Sequence, residues 1–154
     1  MRGKTPKRDI KPDLKYNSVN ISKFINQIMK RGKKSIAQKV VYNCFEIIKE
    51  KTKKDPMDIF DGAIKNVSPE IEVKGRRIGG GNYQIPVAVT GSRKTALAFR
   101  WIINAAKVRK GAPMSQKLAD ELIAAYNKEG AAIKKRQDTY KMAEANRAFA
   151  HFAR

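Results

Sequence analysis

The sequence predicts a mainly α protein, a bundle of six helices with a two-stranded antiparallel β-ribbon inserted between the third and fourth. Three observations carry this. Apolar residues recur at three- and four-residue spacing in six segments, most of them ending at a glycine or proline. One stretch alone, IEVKGRRIGGGNYQIPVAV from Ile71 to Val89, switches to a period of two around a glycine turn. No internal repeat interrupts the plan.

The first fifteen residues hold six bases and two prolines and almost no apolar residue, too little to bury a core. Residues 1–18 therefore read as a basic arm, disordered without a partner, ahead of a single helical domain over 19–154. Helix one starts near Val19, with Ile21, Ile25, Ile28 and Met29 on one side and Gly32 as its stop. Helix two opens at Ser35, where Gln38 completes a capping-box pattern, and carries Ile36, Val40, Val41, Cys44, Phe45 and Ile48 to about Thr52. Asp55 and Pro56 supply a cap and a first-turn proline for helix three, which buries Met57, Phe60, Ile64 and Val67 and ends at Ser68-Pro69.

The ribbon, at about 71–90, alternates Ile71 and Val73 on one arm and Tyr83, Ile85, Val87 and Val89 on the other. Pro86 has no amide hydrogen, so its nitrogen must face away from the partner strand. The turn is read as Gly79-Gly80-Gly81-Asn82. After it, Ser92 caps a helix lined by Leu97, Trp101, Ala105 and Val108, closed by Gly111 and Pro113. Ser115 opens the next, with Leu118, Leu122, Ile123 and Tyr126 inside and Gly130 as its stop. The last, from about Ala132, uses Ile133, Tyr140, Met142, Ala145, Phe149 and Phe152.

Charge narrows the function. Thirty-four Lys and Arg stand against fourteen Asp and Glu, a net charge of +20. Such a chain repels itself and calls for a polyanion, of which nucleic acid is the commonest. Its signs are segregated: 73–119 contains ten bases and no acid, 14–45 is also acid-free, and seven acids crowd into residues 46–72. That pattern fits one phosphate-facing side rather than an evenly mixed soluble surface.

Other classes lack support. No stretch approaches the ~18 apolar residues of a membrane span, and the start lacks a signal peptide's apolar core, so a cytoplasmic location without membrane contact is expected. One cysteine, Cys44, lies on an apolar stripe, and one histidine, His151, stands alone, which points to no metal site, no cofactor and no catalytic residue. The triple glycine has neither GxxxxGK[ST] nor GxGxxG around it and reads as a loop tip. Tyr83 either stacks on a base or packs beneath the ribbon. A basic architectural DNA-binding protein is the main rival, but its ribbon would carry an apolar intercalating tip where this chain has GGGN.

Four motifs resemble the bacterial-type family of the seventh small-subunit ribosomal protein: GKKSIAQKVVY (Gly32 to Tyr42), EVKGRRIGGGNYQIPV (Glu72 to Val87), ALAFRWI (Ala96 to Ile102) and AIKKRQDTYKMAEANRAFAHF (Ala132 to Phe152). The resemblance implies a non-enzymatic, helical protein with a ribbon arm. It would bind the head region of small-subunit ribosomal RNA and nucleate its assembly, beside the exit-site transfer RNA, the messenger RNA and small-subunit proteins nine and eleven. By position it assigns ribosomal RNA contact to Arg2, Lys4, Lys7 and Arg8, to Lys33 and Lys34, and to Lys74, Arg76 and Arg77, with Lys134, Lys135 and Arg136 as a further cluster. Arg93, Lys94, Arg109 and Lys110 join them from the acid-free run. The tip, Gly79, Gly80, Gly81, Asn82 and Tyr83, would lie nearest the exit-site ligands. Gly75 and Gly81 stand where the family leads one to expect small polar residues.

Overall fold

The computed structural model describes residue 3 and residues 9–153. Among these it contains six α-helices in the expected order, α1 (Val19–Ile28), α2 (Lys34–Thr52), α3 (Pro56–Val67), α4 (Gly91–Val108), α5 (Met114–Tyr126) and α6 (Ala131–Ala145). Strands β1 (Ile71–Ile78) and β2 (Gly81–Ala88) pair antiparallel between α3 and α4, and a 3-10 helix, Arg147–Ala153, follows α6. The chain divides into two compact units, 1–41 and 42–154.

In the first unit a turn leads into α1. The carboxylate of Asp13 accepts the backbone N–H groups of Lys15 and Tyr16 at 3.1 and 3.3 Å, a local side-chain turn of the kind aspartate favours. Helix α1 buries Ile21, Ser22, Phe24 and Ile25 and ends before Arg31 and Gly32, both at positive φ. On the opening turns of α2, Ala37 and Val41 are buried, but Ile36 is exposed.

In the second unit α4 packs against α3, α5 and α6. Its buried face is therefore wider than one stripe: Leu97, Ala98, Phe99, Ile102, Ile103, Ala105 and Ala106. Trp101 is only half-buried and Val108 is 78% exposed, against the expected lining. Phe60 of α3 sits between the rings of Phe45 and Phe99, with centroids 5.5 and 6.1 Å away. Helices α3 and α5 approach closely at Gly62, where a Cβ would lie 2.7 Å from the Tyr126 ring. Asn66 closes the same contact by donating to the carbonyls of Ala125 and Tyr126 at 3.1 and 2.9 Å.

The Asp55-Pro56 start holds as read, with the Asp55 carboxylate accepting Met57 N–H at 2.9 Å. Ser35, Ser92 and Ser115 each fall one residue inside their helices, which begin at Lys34, Gly91 and Met114. The last helix is shorter than its periodicity suggested. Asn146 folds its side chain back onto the Met142 carbonyl at 2.8 Å, and Phe149 and Phe152 continue in the 3-10 helix instead.

The ribbon turn is two residues, Gly79-Gly80, both at positive φ, as the twist-matched hairpin turn requires. Gly81 and Asn82 belong to β2. Val73 pairs with Pro86. The bond from Val89 N–H to Glu70 O, at 2.8 Å, makes 70/89 a hydrogen-bonded position, so alternation leaves 73/86 a non-bonded one, where a missing N–H costs nothing. The register sets Glu72, Lys74 and Arg76 opposite Val87, Ile85 and Tyr83. Ile71 and Val73 therefore point to the face opposite Ile85, and the buried β1 residue is Glu72.

Truncating Phe60 to alanine removes the ring shared by Phe45 and Phe99 and should lower unfolding free energy by about 3–5 kcal/mol. Urea denaturation of both proteins measures it; a loss under about 1 kcal/mol would mean the three rings do not form the core's centre.

Candidate nucleic-acid interface

Bases near the core are mostly engaged by the fold, and most of those exposed are lysines. At the ribbon root, Glu72 is 7% exposed and receives Arg93 through two bonds, Nε to Oε1 at 2.7 Å and an NH2 nitrogen to Oε2 at 2.6 Å. Lys74 approaches the same carboxylate at 3.2 Å. The Arg93 hydrogen bonds, with those of Lys74, hold the Glu72 carboxyl below the usual carboxylate range against the opposing pull of burial. The fork geometry of Arg93 suits both oxygens at once, so the start of α4 is tied to the second residue of the ribbon.

A second acid is fully enclosed. Glu121 of α5 is 0% exposed, takes Arg109 on one oxygen at 2.7 and 3.0 Å, and accepts Ala132 N–H on the other at 2.9 Å. One carboxylate thus joins the chain just after α4 to the first turn of α6, whose open amides favour a negative charge. Arg136 donates to the Asn66 carbonyl and lies over the Tyr140 ring, 5.6 Å from its centroid. Arg76 donates to the Phe152 carbonyl at 2.8 Å.

The other predicted contacts stand as follows. Arg2, Lys4, Lys7 and Arg8 lie outside the described residues. Lys33 and Lys34 are exposed at the α1–α2 turn, which is closed by Lys33 N–H to Lys30 O and Lys34 N–H to Gly32 O. Lys110, Lys134 and Lys135 are exposed, Lys94 is half-buried, and none of these has an ion pair among the described residues. Arg77 is exposed near the ribbon tip beside Asn82. Tyr83 is 37% exposed, with its ring 5.1 Å from Phe149.

Nothing here resembles a reaction centre. Among the described residues no three His, Cys, Asp or Glu side chains gather as a metal site, and no helix is long and apolar enough to cross a membrane. Burial, with the nearby charge of Asp120, pushes the Cys44 thiol well above its ordinary value, which leaves it protonated and unreactive.

Sequence reasoning missed the internal duty of Arg93, Arg109 and Arg136 and the enclosure of Glu72 and Glu121. Glu121 did leave a signal, because it sits within the apolar spacing Leu118, Leu122, Ala125. Tyr140 was expected in an apolar face, yet its hydroxyl accepts Glu70 N–H at 3.0 Å and steadies the entry to β1.

A helical body with exposed lysines and a basic ribbon has the electrostatic character of a nucleic-acid-binding protein. The family model described as ribosomal protein S7p/S5e matches residues 1–147, and the chain belongs to that family. The chain is similar to proteins named small ribosomal subunit protein uS7: 56% identical to that of Thermotoga maritima over 98% of this chain and 97% of the relative, 54% to that of Moorella thermoacetica over the same shares, and 56% to that of Metamycoplasma arthritidis over 97% and 96%. It is a structural, non-enzymatic protein of the small ribosomal subunit.

Because Glu72 is held ionised when folded, its contribution to stability is complete above about pH 4.3, the usual glutamate value, and is lost as pH falls through its lowered folded value. Glu72→Gln should flatten the acid limb of a stability–pH curve below the usual glutamate value. An unchanged limb would show that Glu72 is not held by Arg93 and Lys74.

Proposed function

We propose that the protein is a primary binder of small-subunit ribosomal RNA that nucleates assembly of the subunit head. The observation that carries this is the division among its bases: arginines are largely held by the fold, whereas Lys33, Lys34, Lys110, Lys134 and Lys135 stand exposed without ion pairs among the described residues. Exposed lysines neutralise phosphates and release counterions, which gives affinity and little sequence information. Selection then comes from fitting a folded RNA junction, since A-form grooves hide base edges from side chains. Arg2, Lys4, Lys7 and Arg8 add further phosphate contacts. The ribbon tip, Gly79 to Tyr83, approaches the exit-site transfer RNA and messenger RNA, and small-subunit proteins nine and eleven are the protein neighbours.

Competition binding tests the reading. The protein should prefer a ribosomal RNA head junction to duplex DNA of equal length; equal affinity would overturn it. Replacing Lys33 and Lys34 by alanine should weaken binding and reduce the salt slope by about one to two. An unchanged slope would remove the α1–α2 turn from the interface.

A further inference from the structure

The 3-10 helix after α6 buries none of its seven residues: Phe149 and Phe152 are half-buried and the other five are exposed. Helices α3, α4, α5 and α6 each bury several. Runs of 3-10 helix beyond three or four residues are uncommon because their hydrogen bonds are poorly aligned, so this segment is a marginal element held in place by what it touches.

Its seat on the ribbon is loose. The Phe149 ring lies 5.1 Å from that of Tyr83, and the Phe152 carbonyl accepts Arg76 at 2.8 Å. Between the segment and the strands runs a cavity of about 100 Å³, lined by Lys74, Arg76, Ile85, Val87, Phe152 and Ala153. A close-packed interior has few voids larger than a water molecule. Ile85, 1% exposed beside that cavity, supplies apolar area that favours closure.

The root of the ribbon is fastened separately. Arg93 grips Glu72 with two bonds, and the Tyr140 hydroxyl takes Glu70 N–H. Asn146, at φ −102° and ψ 15°, forms the junction between α6 and the 3-10 helix, and such element ends absorb changes of direction.

We propose that residues 147–153 are a detachable latch. Docked, they fix the angle of the outer half of the ribbon; released by rotation at Asn146, they let the ribbon pivot about its Glu72–Arg93 root while the helices stay folded. Release is a local opening that lies well below global unfolding, because the segment gives up few buried groups. The ribbon then has two settings, one imposed by the fold and one adjustable to a neighbour. The latch belongs to the free chain and does not depend on the ribosomal reading.

The test uses the full chain with nitroxides at Asn82→Cys, on the ribbon face away from the latch, and at Asn104→Cys on α4, both exposed sites. Cys44 is buried and stays unlabelled. The parent should show one narrow main distance between the labels. Phe149→Ala should move at least about half of the population to other distances, a chain ending at Asn146 should do the same, and Phe149→Tyr, which keeps the ring, should restore the parent distance. Hydrogen exchange gives a second readout. Amides of 147–153 in the parent should exchange at least about a hundredfold faster than those of α4, and Phe149→Ala should speed the outer ribbon about tenfold with α4 unchanged. An unchanged distance in both Phe149→Ala and the shortened chain would show that the root alone sets the ribbon, and the latch would be overturned. Exchange of 147–153 as slow as that of α4, or acceleration of α4 together with the ribbon, would also overturn it, since the segment would then open only with the whole fold.

Discussion

The repulsion within a chain of net charge +20 is the constraint on which the rest depends. Like charges at this density oppose a compact state, so positive groups near the core need a fixed partner. Four arginines have one: Glu72 for Arg93, Glu121 for Arg109, the Asn66 carbonyl for Arg136 and the Phe152 carbonyl for Arg76. Arginine suits this duty because its planar fork binds two acceptors at fixed geometry, whereas the lysine ammonium is a hydrated point charge on a flexible stem. Many lysines therefore remain at the surface, available to an external phosphate.

The same constraint explains how the ribbon is held. A lone two-stranded hairpin is marginal in water. Here its root is tied to α4 through Glu72 and Arg93, its entry is steadied by Tyr140, and one face is covered by the 3-10 helix after α6. A ribbon braced in this way keeps a fixed orientation on the helices that hold it.

Helix number, order and most boundaries were legible because apolar spacing and stop signals are local. The serine caps each missed by two residues because no serine side chain holds the end, whereas Asp55 does bond Met57 N–H. The facing of the ribbon was legible by counting: any turn with an even number of residues pairs odd with even positions, which puts Glu72, not Ile71 or Val73, on the side of Ile85. Pairings such as Arg93 with Glu72, 21 residues apart, leave no mark in local sequence, so Arg93, Arg109 and Arg136 could not be told from the exposed bases beside them. The end of α6 at Asn146 turned on one side chain folding back, which periodicity does not encode.

The central claim is that net repulsion limits the free protein while short ion pairs to two enclosed carboxylates, Glu72 and Glu121, hold it. Raising sodium chloride from about 0.1 M to about 1 M shortens the screening length from about 10 Å to about 3 Å, which weakens distant repulsion far more than contacts at Glu72 and Glu121. The most direct measurement is the thermal midpoint of the free protein across that series. The account predicts a steady rise with salt; a fall would show that exposed attractive pairs, not repulsion, dominate the electrostatics of this fold.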